Sequence, residues 1–232
     1  MIILYILVKM DLNENQKMIG VHDGVLYGQN ERVDELNKRF VDRRGEYIMS
    51  IDPPGCEDID DAFSCKENKD GTVTLSVYIA NVPVWLDHLE LWNHIGARVS
   101  TIYLPDRERP MLPPALSSGL CSLKSGNDKI TMCMDVTVKA GMVINTTFNV
   151  AIVNLSKNFA YDDSELNDAP GYQLAMSTVD ALNYNTRLLD DIIDSHDLVQ
   201  YMMLLMNVET ADKLSKLNDG IFRSLTFKTN NH

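Results

Sequence analysis

Basic residues are in short supply. Twenty-one Lys and Arg stand against 33 Asp and Glu in 232 residues, a formal charge of -12. A protein that grips nucleic acid through a broad cationic surface has the opposite balance, so any contact with RNA or DNA must be local. Cysteine is equally sparse: Cys56, Cys65, Cys121 and Cys133 are spaced by 9, 56 and 12, with no C-x-x-C pair and no suitably placed His. That spacing argues against a zinc site and fits reduced, intracellular thiols. Long hydrophobic runs are missing too. Met1 to Val8 (MIILYILV) is too short to span a bilayer and has neither a basic n-region nor a small-residue cleavage site. It reads as a buried first strand, with a mis-called start codon as the rival reading. A cytoplasmic protein without membrane contact is expected. There is no repeat and no low-complexity tract, and the 45% hydrophobic residues recur along the whole chain, so disorder is excluded and a sizeable core is affordable.

Local patterns divide the chain. Residues 1–45 form a mixed lead-in, with a turn at His22-Asp23-Gly24 and a charged stretch from Asn30 to Arg44. Strands dominate from about 46 to 156. Val73, Leu75, Val77 and Ile79 alternate with Thr74, Ser76 and Tyr78, which predicts a half-buried strand entered through an Asp70-Gly71 hairpin turn. Ala140-Gly141 separates Ile130–Lys139 from Met142–Ser156, and the second run is apolar on both faces, as in a strand covered on both sides. Asp87 with Glu90 predicts a helix start, with Leu91, Trp92, Ile95 and Val99 as its stripe. Four prolines predict no regular structure over Leu104–Pro114. Two helices close the chain. Ala175, Val179, Leu182, Leu189 and Ile193 stripe the first, and Tyr201, Leu204, Val208, Ala211 and Leu214 the second, behind a Ser195 or Asp194 cap. The fold class is α+β: a largely antiparallel sheet with packed helices.

The chemistry lies in Ser50–Ser64 (SIDPPGCEDIDDAFS). Asp52, Glu57, Asp58, Asp60 and Asp61 fall within ten positions with no basic residue among them, and Pro53-Pro54-Gly55 turns the chain so that Asp52 can meet the Asp58–Asp61 group. Two carboxylates about 4 Å apart repel by roughly 1 kcal/mol in water and about 4 at an effective dielectric of 20. Two outcomes are open: an acidic turn spread into solvent, or a site neutralised by a hard dication. The oxygen-only donors suit Mg²⁺ or Mn²⁺. The spacing does not suit an EF-hand loop. Clustered Asp residues with Mg²⁺ can support two-metal phosphodiester cleavage, which would let a negative protein meet RNA through bridging ions.

Three stretches of this sequence resemble the ribonuclease II / ribonuclease R family through its RNB catalytic domain. Ile51–Ala62 (IDPPGCEDIDDA) is similar to the four-aspartate signature, and Thr101–Leu123 (TIYLPDRERPMLPPALSSGLCSL) to the most distinctive block. Tyr201–Ala211 with Phe222-Arg223 is similar to a later helix. The likeness runs from about Tyr47 to Arg223, which makes 1–45 a short lead-in segment and 46–232 a truncated RNB catalytic domain, the N-terminal half only.

The resemblance implies a Mg²⁺-dependent (or Mn²⁺-dependent) 3′→5′ exoribonuclease that hydrolyses single-stranded RNA to 5′-mononucleotides. By position, Asp52 and Asp61 match direct metal ligands, Asp60 the residue most needed for hydrolysis, and Asp58 the remaining acid that shapes the site. Tyr103 matches a tyrosine beside the last nucleotides, where stacking is its natural work. On the residues alone it reads as an aromatic before a proline loop. Arg107, Arg109 and Lys124 are candidate phosphate contacts. The chain departs from the family at Tyr78 and Asn81, which replace the His and Asp of an H-I-A-D-V motif, and at Val84, where a further His is usual. The family's later segment, with an arginine, a glutamate and a base-clamping aromatic, is not found before His232. A truncated product, one part of a split enzyme completed by a second polypeptide, and a decayed, non-catalytic RNA-binding remnant are the readings left open.

Overall fold

The computed structural model describes residues 40–93, 101–104, 106, 108–109, 111–218 and 220. The expected first strand at Met1–Val8, the turn at His22-Asp23-Gly24, Ile95 and Val99 of the predicted helix stripe, Arg107 and Phe222-Arg223 lie outside these residues.

Seven strands form one sheet: β1 (Val41–Asp42), β2 (Met49–Asp52), β3 (Asp61–Glu67), β4 (Val73–Ala80), β7 (Asp128–Lys139), β8 (Met142–Asn154) and β9 (Lys157–Ala160). Their order is β1-β8-β7-β4-β3-β2-β9. Only β1 on β8 and β9 on β2 are parallel, so the sheet is largely antiparallel, as the alternation predicts. Both hairpins stand where their turn residues place them. Gly71 has φ +75° between β3 and β4, and Ala140 and Gly141 have φ +49° and +71° between β7 and β8. A separate ribbon pairs β5 (Ile102–Tyr103) with β6 (Glu108–Arg109), so the proline-rich stretch does hold regular structure. None of its paired residues is a proline: Ile102 and Tyr103 precede Pro105, and Glu108 and Arg109 lie between Pro105 and Pro110, so backbone N–H groups are available.

One sheet face carries α2 (Tyr172–Thr186) and α3 (Ser195–Lys216). Met49, Ile51, Phe63, Val77, Met134 and Phe159 meet Ala175, Val179, Leu182, Tyr201, Met202 and Leu205 there. The other face is covered at one end by α1 (Val82–His88) and a π-helical turn over Ala115–Cys121, through Ile48, Ala62, Tyr78, Leu86, Leu116 and Leu123. Fully burying an aliphatic or aromatic side chain of this size contributes roughly 1.5–3 kcal/mol, so these two layers hold the sheet.

Several sequence expectations are corrected. α1 starts six residues earlier than the Asp87–Glu90 pair suggested: Asn81 Oδ1 accepts from the Val84 N–H at 3.3 Å, and Pro83 sits in the first turn. Strand β4 is buried on both faces rather than half-buried, because Ser76 and Tyr78 are covered as fully as Leu75 and Val77. Conversely, β8 is buried on both faces only over Ala151–Val153, while Met142 and Ile144 at its start are exposed. The first helical stripe ends at Thr186. Arg187 turns left-handed at φ +53°, leaving Leu189 and an exposed Ile193 in the connection. In α3 the buried stripe is Leu198, Tyr201, Met202, Leu205, Met206 and Leu214, whereas Val208 is exposed. Of the two expected cap candidates, Ser195 and Asp194, Asp194 is the one used, with Asp197 completing a capping box.

Gly171 fixes how α2 meets the sheet. Its φ is +81°, and a Cβ there would lie 2.5 Å from the Cys65 carbonyl oxygen of β3. Gly171→Ala is therefore expected to destabilise the fold by about 2–4 kcal/mol, the sum of left-handed strain and a backbone clash. A urea denaturation midpoint would check it, and a change below about 0.5 kcal/mol would count against this packing.

Candidate functional site

The acidic residues gather at one end of the β2–β3 pair. Pro53-Pro54-Gly55 makes the predicted turn, closed by the Cys56 N–H on the Pro53 carbonyl at 3.1 Å, with Gly55 at φ +80°. Met49 faces Phe63 across the pair. Alternation then puts Asp61 on the helix-bearing side with Phe63 and Cys65, and Asp52 with Ser50 on the other. The two still feel each other because Asp52 ends β2 and Asp61 begins β3.

Burial and like charge act together here. Burial, then the charges of Asp52 and Asp60, raise the Asp61 carboxyl to about 7. Burial and the Asp58 charge raise Asp52, against a lowering by the Ser50 hydroxyl. Asp60 retains an exposed surface, yet the protein around its carboxyl, with Asp58 and Asp52, raises it as well. Asp58 is exposed and receives only a weak Cys56 Sγ contact at 3.8 Å. No Lys or Arg among the described residues forms an ion pair with any of the four.

This donor set fits a hard dication in kind: carboxylate oxygens, three of them desolvated, mutually repelling and without an ion-pair partner among the described residues. It is not a closed coordination shell. Among the described residues, no three His, Cys, Asp or Glu side chains converge tightly enough to ligate one ion.

A strap formed by residues 113–125 shapes the cluster, and sequence reading missed its working parts. The π-helical turn ends at Ser122, which is fully buried. Its hydroxyl donates to the Glu57 carbonyl at 2.9 Å and accepts from the Ile59 N–H at 3.0 Å, while the Leu123 N–H donates to the Ile59 carbonyl at 2.9 Å. These bonds hold the loop that bears Asp58 and Asp60. Lys129 of β7, buried against the strap, donates to its Gly119 and Leu120 carbonyls. Lys124, a candidate phosphate contact, is instead paired with Glu57.

Tyr161 is a second residue the sequence did not single out. It follows β9, stacks on His196 with ring centroids 3.7 Å apart, and receives the Ser195 hydroxyl on its carbonyl at 2.6 Å. Ala160, just before it, pairs with Asp52; burial raises the Tyr161 phenol, and the charges of Asp61 and Asp52 raise it further. Periodicity gave no signal for it, because the contact joins a strand end to a distant helix start. Tyr103 stands in β5 with its backbone opposite Glu108, in the ribbon rather than in the main sheet.

The departures at 78 and 81 are accommodated structurally. The buried Tyr78 hydroxyl bonds Ser64 at 3.0 Å and the Glu46 carboxylate at 3.1 Å, and Asn81 caps α1.

Residues 40–169 match the RNB domain. Exosome complex exonuclease RRP44 of Mus musculus is 32% identical over 135 residues, covering 57% of this chain and 14% of that protein. The chain thus spans a small part of such relatives' length. Among solved structures, Mycoplasma genitalium RNase R in complex with ribose methylated single-stranded RNA superposes with a TM-score of 0.69 at 18% identity, over 89% of this chain and 37% of that one. Yeast Ssd1, a pseudonuclease, superposes with a TM-score of 0.64 at 15% identity, over 80% of this chain and 27% of that one. These structural likenesses bear on the fold; the sequence match over the acidic loop, the strap and the central strands bears on kinship. The chain belongs to the RNB domain family of exoribonucleases and their relatives.

Proposed function

We propose that this chain is the metal-bearing part of a Mg²⁺- or Mn²⁺-dependent 3′→5′ exoribonuclease that releases 5′-mononucleotides from single-stranded RNA. The observation that carries the reading is the cluster of Asp52, Asp58, Asp60 and Asp61, with three of its carboxyls raised and no cationic partner among the described ion pairs. Repulsion of roughly 1–4 kcal/mol per close pair makes such an array costly unless a cation neutralises it. Asp52 and Asp61 hold the ions, Asp60 orients the attacking water, and Asp58 shapes the site from the loop. Bound ions supply a water of lowered pKa and neutralise the leaving oxyanion. A dication held by these carboxylates would neutralise them and so let a chain of net charge -12 accept a phosphate backbone. Tyr103 stacks on a terminal base, and Arg107 touches phosphate. The remaining catalytic groups come from a further segment or a second polypeptide, and the protein works in the cytoplasm.

A non-catalytic RNA-binding role is the second reading, favoured by the likeness to a pseudonuclease and by the lack, among the described residues, of three ligands converged on one point. One assay separates the two. With Mg²⁺ and a 3′-ended single-stranded RNA, the wild-type chain is expected to release 5′-mononucleotides, and Asp60→Asn to stop release while the fold survives. Equal inertness of both proteins, with RNA binding retained, would favour the second reading.

A further inference from the structure

Ser50 and Asn158 are neighbours across the parallel β2–β9 pair, so their side chains emerge side by side. Asn158 uses its whole amide. Its Nδ2 donates to Ser50 Oγ at 2.9 Å and to the Leu123 carbonyl at 3.0 Å, and its Oδ1 accepts from the Ser125 N–H at 2.8 Å. That backbone N–H fixes which end of the amide is oxygen. Since the Nδ2 group can only donate, Ser50 Oγ is the acceptor there, and its own proton is free for a second partner. That partner is Asp52 Oδ2, at 2.7 Å. The result is a directed chain from the strap, through Asn158 and the fully buried Ser50, to one oxygen of Asp52.

We propose that Asn158 is a positioning residue: through Ser50 it holds the Asp52 carboxylate, leaving the other oxygen to face the metal. This rests on the metal-bearing function proposed above. Asn158 also ties Asp52 to the strap whose Ser122 holds the Asp58–Asp60 loop, so one side chain joins both halves of the acid cluster. The residues behind metal ligands commonly change metal affinity by 10- to 100-fold when removed.

Calorimetric titration of the full chain with Mn²⁺ tests this. Ser50→Ala and Asn158→Ala are each expected to weaken Mn²⁺ binding about tenfold or more. The double variant is expected to bind no more weakly than the weaker single, as for members of one chain. Unchanged affinity in Asn158→Ala, or losses that multiply in the double variant, would overturn the proposal while leaving the metal-bearing reading intact. Wild-type protein that takes up no Mn²⁺ would overturn both. Should the buried Ser50→Ala variant not fold, Asn158→Ala decides alone, because Asn158 is only half-buried on an edge strand.

Discussion

Asp61→Asn is expected to stabilise the metal-free protein at pH 8 and to leave its stability nearly unchanged at pH 4. The Asp61 carboxyl titrates near 7 in the folded chain against an ordinary value of 3.8, chiefly because burial and then the Asp52 and Asp60 charges disfavour its ionised form. The folded state therefore holds a proton that the unfolded state has lost between those two values. Where the folded state binds more protons, stability falls as pH rises. The cost is absent below 3.8, accumulates through the interval, and is complete above about 7. At roughly 1.4 kcal/mol per pH unit the ceiling is about 4 kcal/mol. Solvent at this half-buried carboxyl lowers that to about 1–3 kcal/mol. An amide of the same shape removes the charge and hence the cost. Urea denaturation in the presence of a chelator reads the effect directly. A variant less stable than wild type at pH 8 would contradict the electrostatic account. The same substitution should abolish the stabilisation that Mn²⁺ gives the wild type, so that stability and metal uptake move in opposite directions.

The second large effect lies on the central strands of the sheet. Arg43 and Asp135 form an ion pair at 2.5 Å with side chains only 11% and 13% exposed. Ser76 donates to the second Asp135 oxygen at 2.6 Å, and the Arg43 N–H bonds the Ile152 carbonyl at 2.8 Å. Arg43→Ala would strand Asp135 with Ser76 and the weak Cys133 thiol contact as its remaining side-chain donors. Breaking a buried pair from one side costs about 3–5 kcal/mol, because the surviving charge keeps its desolvation penalty without its partner. Replacing both residues by apolar ones, Arg43→Met with Asp135→Leu, should recover at least about 2 kcal/mol of that loss. Chemical denaturation of the single and double variants checks the pair. If the double variant loses as much as the single or more, the cost arises from packing around the Arg43 stem rather than from the stranded carboxylate.

This network also explains why β4 differs from its sequence pattern. Ser76 and Tyr78 alternate with apolar residues as if facing water, yet Arg43 from the lead-in, Glu46 just after it and Asp135 of β7 bond them. A polar residue signals solvent only until another segment supplies its hydrogen bonds. The helices show the same boundary between local and distant causes. The Asp194 capping box was readable because its partners lie three residues apart. The buried stripe of α3 was not, because MMLLM is apolar all round and periodicity cannot choose a face. The true start of α1 carried a local signal, Asn81 ahead of Pro83, which the Asp87–Glu90 pair obscured.

The amino-acid sequence by itself determined the α+β class, both hairpins, the proline-glycine turn and the identity of the clustered acids, because each rests on residues a few positions apart. Family kinship was legible for a related reason: two long blocks carry it in order. Only the tertiary structure decided how the acids are held. The Ser122 clasp, the Asn158–Ser50–Asp52 chain and the Tyr161–His196 stack join residues 63, 108 and 35 positions apart. Such contacts depend on strand order and register, and no short-range pattern encodes those.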